Sequence, residues 1–331
     1  MSPSRRALAV SLLLLACLPF AAVADDHPGV EAFADKVARE KGIPRQQVLD
    51  ILSGAKTRQD ILDAISRPAE AKPWYQYRPI FLTPERIGKG IAFWDEHEKT
   101  LARAAEKYGV DPSVIVAILG VETHYGEITG RYRVLDALAT LAFHYPPRES
   151  FFQGELEEYL VLGREEHLPL DETMGSYAGA MGFGQFIPSS YREYAVDFDG
   201  DGQRNLWSVD DAIGSVANYF ARHGWERGGP VAVRAKAAPS ARPPEDAGLK
   251  PEFTLAEMAR RGFSPERKVD AGEPVTLVTL EQPDGPEYWL GFENFYVISR
   301  YNHSPLYAMA VHQLGRAIEE ARDYQAADAA K

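Results

Sequence analysis

The sequence is short of cysteine, of basic charge and of long apolar runs. Cys17 is the only cysteine in 331 residues, so no disulfide can form within the chain. Lysine and arginine total 36 against 48 aspartates and glutamates, a net charge of −12. A chain this acidic lacks the basic footprint that nucleic-acid binding requires. It also offers no electrostatic attraction to an anionic polymer, so such a substrate must be held by stacking and hydrogen bonds. Beyond residue 24 no apolar run is long enough to span a bilayer. Several catalytic signatures are missing too. Glu122-Thr123-His124 lacks the i, i+4 histidine pair of H-E-x-x-H, and no nucleophile elbow supports Ser-His-Asp chemistry. The glycine-rich stretch Gly175 to Pro188 lacks the G-K-[ST] ending of a phosphate loop. Its glycine spacing does not match a dinucleotide fingerprint, and no strand precedes it. No internal repeat is present, and no organic cofactor is expected.

What is present begins with a targeting signal. Arg5 and Arg6 precede the apolar run Ala7 to Ala22, and Ala22-Val23-Ala24 is a small-x-small cleavage site. Residues 1–24 therefore read as a signal peptide. Its removal takes away two arginines and no acid, leaving the exported chain more acidic still. The run is short for a transmembrane anchor. Leu14 to Cys17 reads L-L-A-C, an imperfect lipoprotein box, and lipidation at Cys17 is the alternative to cleavage after Ala24. Either way the protein is exported.

The length allows two or three domains around one sizeable core. In residues 25–70 apolar positions recur at helical spacing, and Gly42-Ile43-Pro44 and Ser53-Gly54 break the run into short helices. Residues 71–82 are aromatic and irregular. Tyr75 and Tyr77 are placed in a Pro-flanked loop where a ring can face a groove. A helix from Thr83-Pro84-Glu85 continues to Tyr108, with Phe93 and Trp94 in the core. Asp111 and Pro112 suit the N-cap and first position of the next helix. Further helices are expected over Val134 to Phe143, Ser150 to Arg164 and Val209 to His223. A core segment thus spans 71–228. At Gly228 the texture changes. Residues 229–290 form a small insertion with strands at 231–233, 275–280 and 288–290. Residues 291–325 return to the core, 293–300 being ambiguous, and close on a helix from Ser304 to Tyr324. Residues 326–331 are a tail. The fold class is mainly α, with a minor β part.

Three features carry chemistry. In D-F-D-G-D-G-Q-R-N, Asp197, Asp199 and Asp201 alternate as in an EF-hand loop. Gly202 takes the sharp-turn position, and Gln203 offers its backbone carbonyl. Position 12 is Ser208 rather than glutamate, so a late carboxylate, Asp210 or Asp211, must close the site. The expected ion is structural calcium, since the ligands are all oxygens and no catalytic base stands in the motif. An acidic loop of Asx-turns without metal is the alternative. The glycines of 175–184 allow close backbone approach to a ligand, and Gln185 supplies an amide that donates and accepts. Glu122 ends an apolar helix. A carboxylate there is either satisfied by a neighbour or kept protonated as an acid. A glycosidase normally needs a second carboxylate. Glu127, past Gly126, need not face the same way, and no other acid stands out. A lone acid suits substrate-assisted cleavage.

These motifs together resemble the lytic murein transglycosylase B family: G-V-E-T-H-Y-G, then G-S-Y-A-G-A-M-G-F-G-Q-F-I-P-S-S-Y, D-F-D-G-D-G, N-L-W-S-V-D-D-A-I-G-S-V-A-N-Y-F and R-Y-N-H-S-P-L-Y-A-M-A-V. The resemblance covers roughly residues 70–325. It implies a lysozyme-like helical core with a helical and a β-containing domain around it. It further implies cleavage of the MurNAc–GlcNAc β-1,4 bond of peptidoglycan without water, leaving 1,6-anhydro ends. Glu122 is then acid and afterwards base. Ser176, Met181 and Gln185 line the saccharide groove, with Tyr219, Tyr301, Asn302, Tyr307 and Tyr77 in its wall. Asp197, Asp199, Asp201, Gln203 and Asp211 hold calcium, with Asp211 as the late carboxylate. The expected setting is periplasmic, as a soluble form or an outer-membrane lipoprotein. A monomer is expected, with cell-wall synthases or divisome proteins as candidate partners. A hydrolytic lysozyme and a non-catalytic peptidoglycan-binding protein are the competing readings.

Overall fold

The structure, a computed structural model, describes residues 27–66, 72–270 and 272–329. The signal-peptide and Cys17 expectations lie outside these residues. Three short helices come first: α1 (Val30–Lys41), α2 (Arg45–Leu52) and α3 (Gln59–Ile65). Gly42 ends α1 in the left-handed conformation (φ 65°), and Pro44 stands at the N-cap of α2. Phe33, Val37, Val48, Leu52 and Ile61 are buried in the same apolar cluster as the rest of the helical body. This segment therefore wraps the main core and adds no core of its own.

Residues 74–81 overturn the loop expected there. Helix α4 (Trp74–Phe81) runs through Pro79. Trp74, Tyr77 and Phe81 fall on one helical face, and the first two are almost wholly buried. That aromatic burial outweighs the cost of an interior proline. The amide of Tyr75 donates to the carbonyl of Glu281 at 3.2 Å, tying α4 to the later sheet. The single helix expected from 84 to 108 is two, α5 (Pro84–Glu96) and α6 (Glu98–Tyr108), separated at His97, whose φ of −111° is not helical. Phe93 is in the core as expected, and Trp94 packs against its edge.

Helix α7 (Pro112–Thr123) is the axis of the molecule. Ser113 to Gly120 are all buried, so it has no solvent face to make amphipathic. Pro112 is at its first position, but the Asp111 side chain makes no capping bond. Helix α7 packs against α5, α6 and α11 (Val209–Arg222). Helix α10 (Pro188–Tyr194) joins α11 to α9 (Glu149–Glu165), which lies along α8 (Val134–His144), and a two-residue ribbon pairs β1 (Tyr132–Arg133) with β2 (Met174–Gly175). The four-stranded antiparallel sheet contains β3 (Ala232–Ala237), β4 (Phe263–Pro265), β5 (Thr276–Leu280) and β6 (Glu287–Gly291), in the order β4-β3-β6-β5. Register pairs Val233 with Leu290 and Val278 with Trp289. The sheet and α12 (Leu255–Arg260) enclose a separate small core of Val233, Met258, Phe263, Val275, Leu277, Leu290 and Phe292. Strand β4 and α12 are additions to the sequence reading. The second had a legible signal, since Thr254 and Glu257 form a capping box. The ambiguous 293–300 is α13 (Glu293–Tyr301), and α14 (Pro305–Ala329) returns antiparallel along α7, Gly315 lying against Ser113.

Candidate active site and acidic loop

Helix α7 carries Glu122 in its last turn. Three left-handed residues follow Thr123: His124 (φ 54°), Tyr125 (φ 62°) and Gly126 (φ 91°). The conformation is strained for the first two. It is held by side chains. The Tyr125 hydroxyl donates to the carbonyl of Arg86 at 2.9 Å, and Thr123 Oγ1 accepts the amide of Gly126 at 3.0 Å. Gly126 has no alternative, because a Cβ there would lie 1.9 Å from the Phe183 ring.

The Glu122 residue is half-buried, but its carboxyl group is hemmed in by protein. Tyr307, in the first turn of α14, donates its hydroxyl to Oε1 at 2.5 Å. Desolvation pushes the carboxyl up to about 7, against the smaller opposing pull of the Tyr307 hydrogen bond. Tyr301 stands near enough to feel the Glu122 charge. Both tyrosines are pushed well above the ordinary phenol range, by burial first and then by that charge. The Tyr301 hydroxyl donates to the carbonyl of Gly184 at 2.5 Å. Glu127 does not supply a second acid beside Glu122. It is exposed, bonded by Lys89 at 2.7 Å, and held low by that bond.

The remaining groove candidates divide in two. Tyr219 is buried between His223 (4.0 Å between centroids, stacked) and the edge of Tyr301 (4.8 Å), and its hydroxyl donates to the carbonyl of Arg300. Tyr77 is buried on α4, stacked on Trp74 and close enough to Tyr307 to affect it electrostatically. It is a core ring on a helix, not an open loop ring as expected. Asn302 is half-buried just past α13, and its carbonyl accepts the Ser304 amide at 2.7 Å. Ser176, Met181 and Gln185 instead build the glycine-rich turn. Ser176 Oγ accepts the amides of Ala178 and Ala180 at 3.2 and 3.0 Å. Gln185 is itself left-handed (φ 52°), and its amide nitrogen donates to the carbonyls of Thr129 and Gly182. Met181 has a fully buried side chain and exchanges both backbone bonds with Phe186. It presents no side-chain surface to a groove, so it can shape one only through its backbone. Sequence reading passed over Thr123 and Phe183, because no periodicity marks a tertiary hydrogen bond.

The acidic loop folds on its own carboxylates. Asp197 accepts the amides of Gly200 and Gly202 at 2.7 and 2.9 Å. Asp211, fully buried at the start of α11, accepts those of Phe198 (2.6 Å), Asp199 (3.3 Å) and Asn205 (2.7 Å). Asp197, Asp199 and Asp211 bring oxygens within 4.8 Å of one another. The late carboxylate, Asp211, is thus bonded back to the loop's own amides. Ser208, at position 12, donates instead to Asp199 at 3.3 Å. Asp201 and Gln203 are exposed, and Asp201 lies outside that converging group of carboxylates. Three converging hard oxygens, with no lysine or arginine bonded to them among the described residues, fit a calcium ion.

A transglycosylase SLT domain model matches residues 25–316. The chain belongs to the transglycosylase SLT domain family. This SLT chain is 45% identical over 307 residues to the membrane-bound lytic murein transglycosylase B of Escherichia coli (strain K12), across 90% of this chain and 84% of that one. It superposes on the E. coli lytic transglycosylase Slt35 in complex with calcium, with a TM-score of 0.84 and 45% identity over 90% of this chain and 94% of that one. SltB3 from Pseudomonas aeruginosa, in complex with NAG-anhNAM-pentapeptide, matches with a TM-score of 0.79 and 32% identity, over 88% of this chain and 78% of that one. The mainly helical, lysozyme-like architecture expected from the sequence is thus the one these SLT enzymes share.

Proposed function

We propose that this lytic transglycosylase cleaves the MurNAc–GlcNAc β-1,4 bond with Glu122 as the only carboxyl in the chemistry. The observation that carries the reading is the Glu122 carboxyl itself. It is desolvated, which raises its pKa to about 7, it is held by the Tyr307 hydroxyl, and among the described residues it has no acid neighbour. A group titrating near 7 can give a proton and take one back. Protonated Glu122 passes its proton to the glycosidic oxygen as the C–O bond breaks. The carboxylate then takes the proton of the muramic 6-hydroxyl, whose oxygen attacks the anomeric carbon. The product is a 1,6-anhydro end, and Glu122 is again protonated. No water is consumed. The anhNAM ligand of SltB3 supports this product class. Tyr307 orients the carboxyl, Tyr301 and Asn302 supply the wall, and the buried rings of Tyr219 and Tyr77 back it. Ser176, Gln185 and the Met181 backbone shape the opposite side.

In the same reading Asp197, Asp199 and Asp211 hold calcium, with Asp201 and the Gln203 carbonyl completing the set. When bound, the ion neutralises the clustered carboxylates and fixes the loop. Segments 71–228 and 291–325 form the catalytic core, flanked by 25–70 and 229–290. The enzyme is exported to the periplasm, with Cys17 as the lipid anchor if the signal is of the lipoprotein type. The test is the mass of soluble products released from purified peptidoglycan sacculi. Anhydro-muropeptides, one water lighter than reducing ends, are expected. Reducing ends would make the enzyme a hydrolase, and binding without soluble product would make it a binding protein.

A further inference from the structure

One buried hydroxyl, that of Thr123, joins the left-handed turn after Glu122 to a second segment of the chain. Thr123 Oγ1 lies 3.0 Å from the carbonyl of Phe183 and 3.2 Å from that of Leu119, one turn back in α7. It also accepts the Gly126 amide at 3.0 Å. A hydroxyl has one proton, so the two carbonyls compete for it. The bond to Leu119 stays within the helix. The bond to Phe183 fastens the helix end to the glycine-rich turn. Phe183 is itself held from behind, since its amide donates to the carbonyl of Leu206 at 2.9 Å. Leu206 is fully buried and packs so closely on Gly182 that a Cβ there would lie 2.5 Å from it. The turn is therefore a firm partner for the latch.

We propose that Thr123 is a positioning residue for Glu122. Its hydroxyl bridges the Phe183 carbonyl and the Gly126 amide, pins the strained turn, and so fixes the helix end from which Glu122 meets Tyr307. The inference rests on the reading of Glu122 as the acid. His124 and Tyr125 adopt left-handed geometry that is costly for residues with side chains, and the Thr123 bridge holds it together with the Tyr125 hydroxyl on the Arg86 carbonyl. Without the pin, the last turn of α7 relaxes and the carboxyl shifts. A displacement of about 1 Å can cost about 100-fold in rate.

Thr123→Val keeps the side-chain shape and removes both hydroxyl bonds. We expect kcat on soluble glycan to fall about 10- to 100-fold with KM within about twofold. The alkaline limb of kcat should move to lower pH, because water reaches the loosened carboxyl. Thr123→Ser keeps the hydroxyl and should restore both to within about threefold. Thr140 provides the control. It is equally buried, accepts the Arg58 amide at 3.0 Å and donates to the Lys56 carbonyl at 3.3 Å, and takes no part in the Glu122 turn. Thr140→Val should lose stability while leaving kcat and the limb unmoved. If Thr123→Val does not fold, Thr123→Ala against Thr123→Ser reads the same contrast. The proposal is overturned if the Thr123 variant lacking the hydroxyl matches Thr140→Val, or if Thr123→Ser gives no rescue. Glu122→Gln is assayed alongside. Activity in that variant sinks the acid assignment itself, whereas an inactive Glu122→Gln with an unaffected Thr123→Val sinks only the latch.

Discussion

The hydroxyl of Tyr307 donates to Oε1 of Glu122 at 2.5 Å, joining residues 185 apart in sequence. It is the one hydrogen bond that opposes the desolvation of this carboxyl. Tyr307→Phe removes it. The Glu122 pKa then rises above about 7, and the pH at which activity declines should move up by about one unit. With the carboxyl less well oriented, kcat should fall about tenfold. A pH–rate profile on purified peptidoglycan checks both, and an unmoved alkaline limb would contradict the geometry.

In the wild type that limb should fall near pH 7. Glu122 must be protonated to act first as an acid, and its protonated fraction declines as pH rises through about 7. An ordinary carboxyl would give the decline near its unperturbed 4.5. Turnover measured from pH 4 to 9 distinguishes the two.

The same shift has a stability consequence. The folded pKa is raised above the unfolded 4.5, so Glu122 contributes stability that is full below pH 4.5. That contribution is lost as pH rises through about 7, by up to about 3 kcal/mol. Glu122→Gln cannot ionise. It should be inactive yet more resistant to urea than the wild type at pH 8, with little difference at pH 4. Equal gains at both pH values would mean that the carboxyl is not desolvated.

Calcium removal should act mainly on stability. Asp197, Asp199 and Asp211 repel one another when unneutralised, so a chelator should lower Tm by about 5 °C or more. Activity per folded molecule should change less. Asp211→Asn should remove the calcium dependence of Tm, since this residue gathers three backbone amides at the loop's end. A Tm indifferent to chelator would count against the site.

Gly126→Ala should destabilise the fold severely, by about 3 kcal/mol or more, from left-handed strain together with a clash on Phe183. Gly224 has a similar φ of 92° but open space around it. Gly224→Ala should therefore cost only the strain, about 1 kcal/mol. Thermal melts of the two variants separate the ring contact from the backbone term.

Local patterns in the sequence were enough for most of the helices, for Glu122 at the end of α7, and for the alternating aspartates with a late carboxylate. Each is a property of neighbours along the chain: apolar spacing, a breaker, a charge where charge is costly. The aromatic segment 74–81 was misread because proline is a local signal and burial of Trp74 and Tyr77 is not. Met181 is placed in the groove by the family resemblance, whereas packing removes its side chain from any surface. Only the tertiary structure decided that Tyr307 reaches Glu122, that Lys89 occupies Glu127, and that Thr123 ties the helix end to Phe183. Hydrogen bonds between distant segments, and the desolvation that sets a pKa, depend on which surfaces meet, and that is fixed only when the chain has packed.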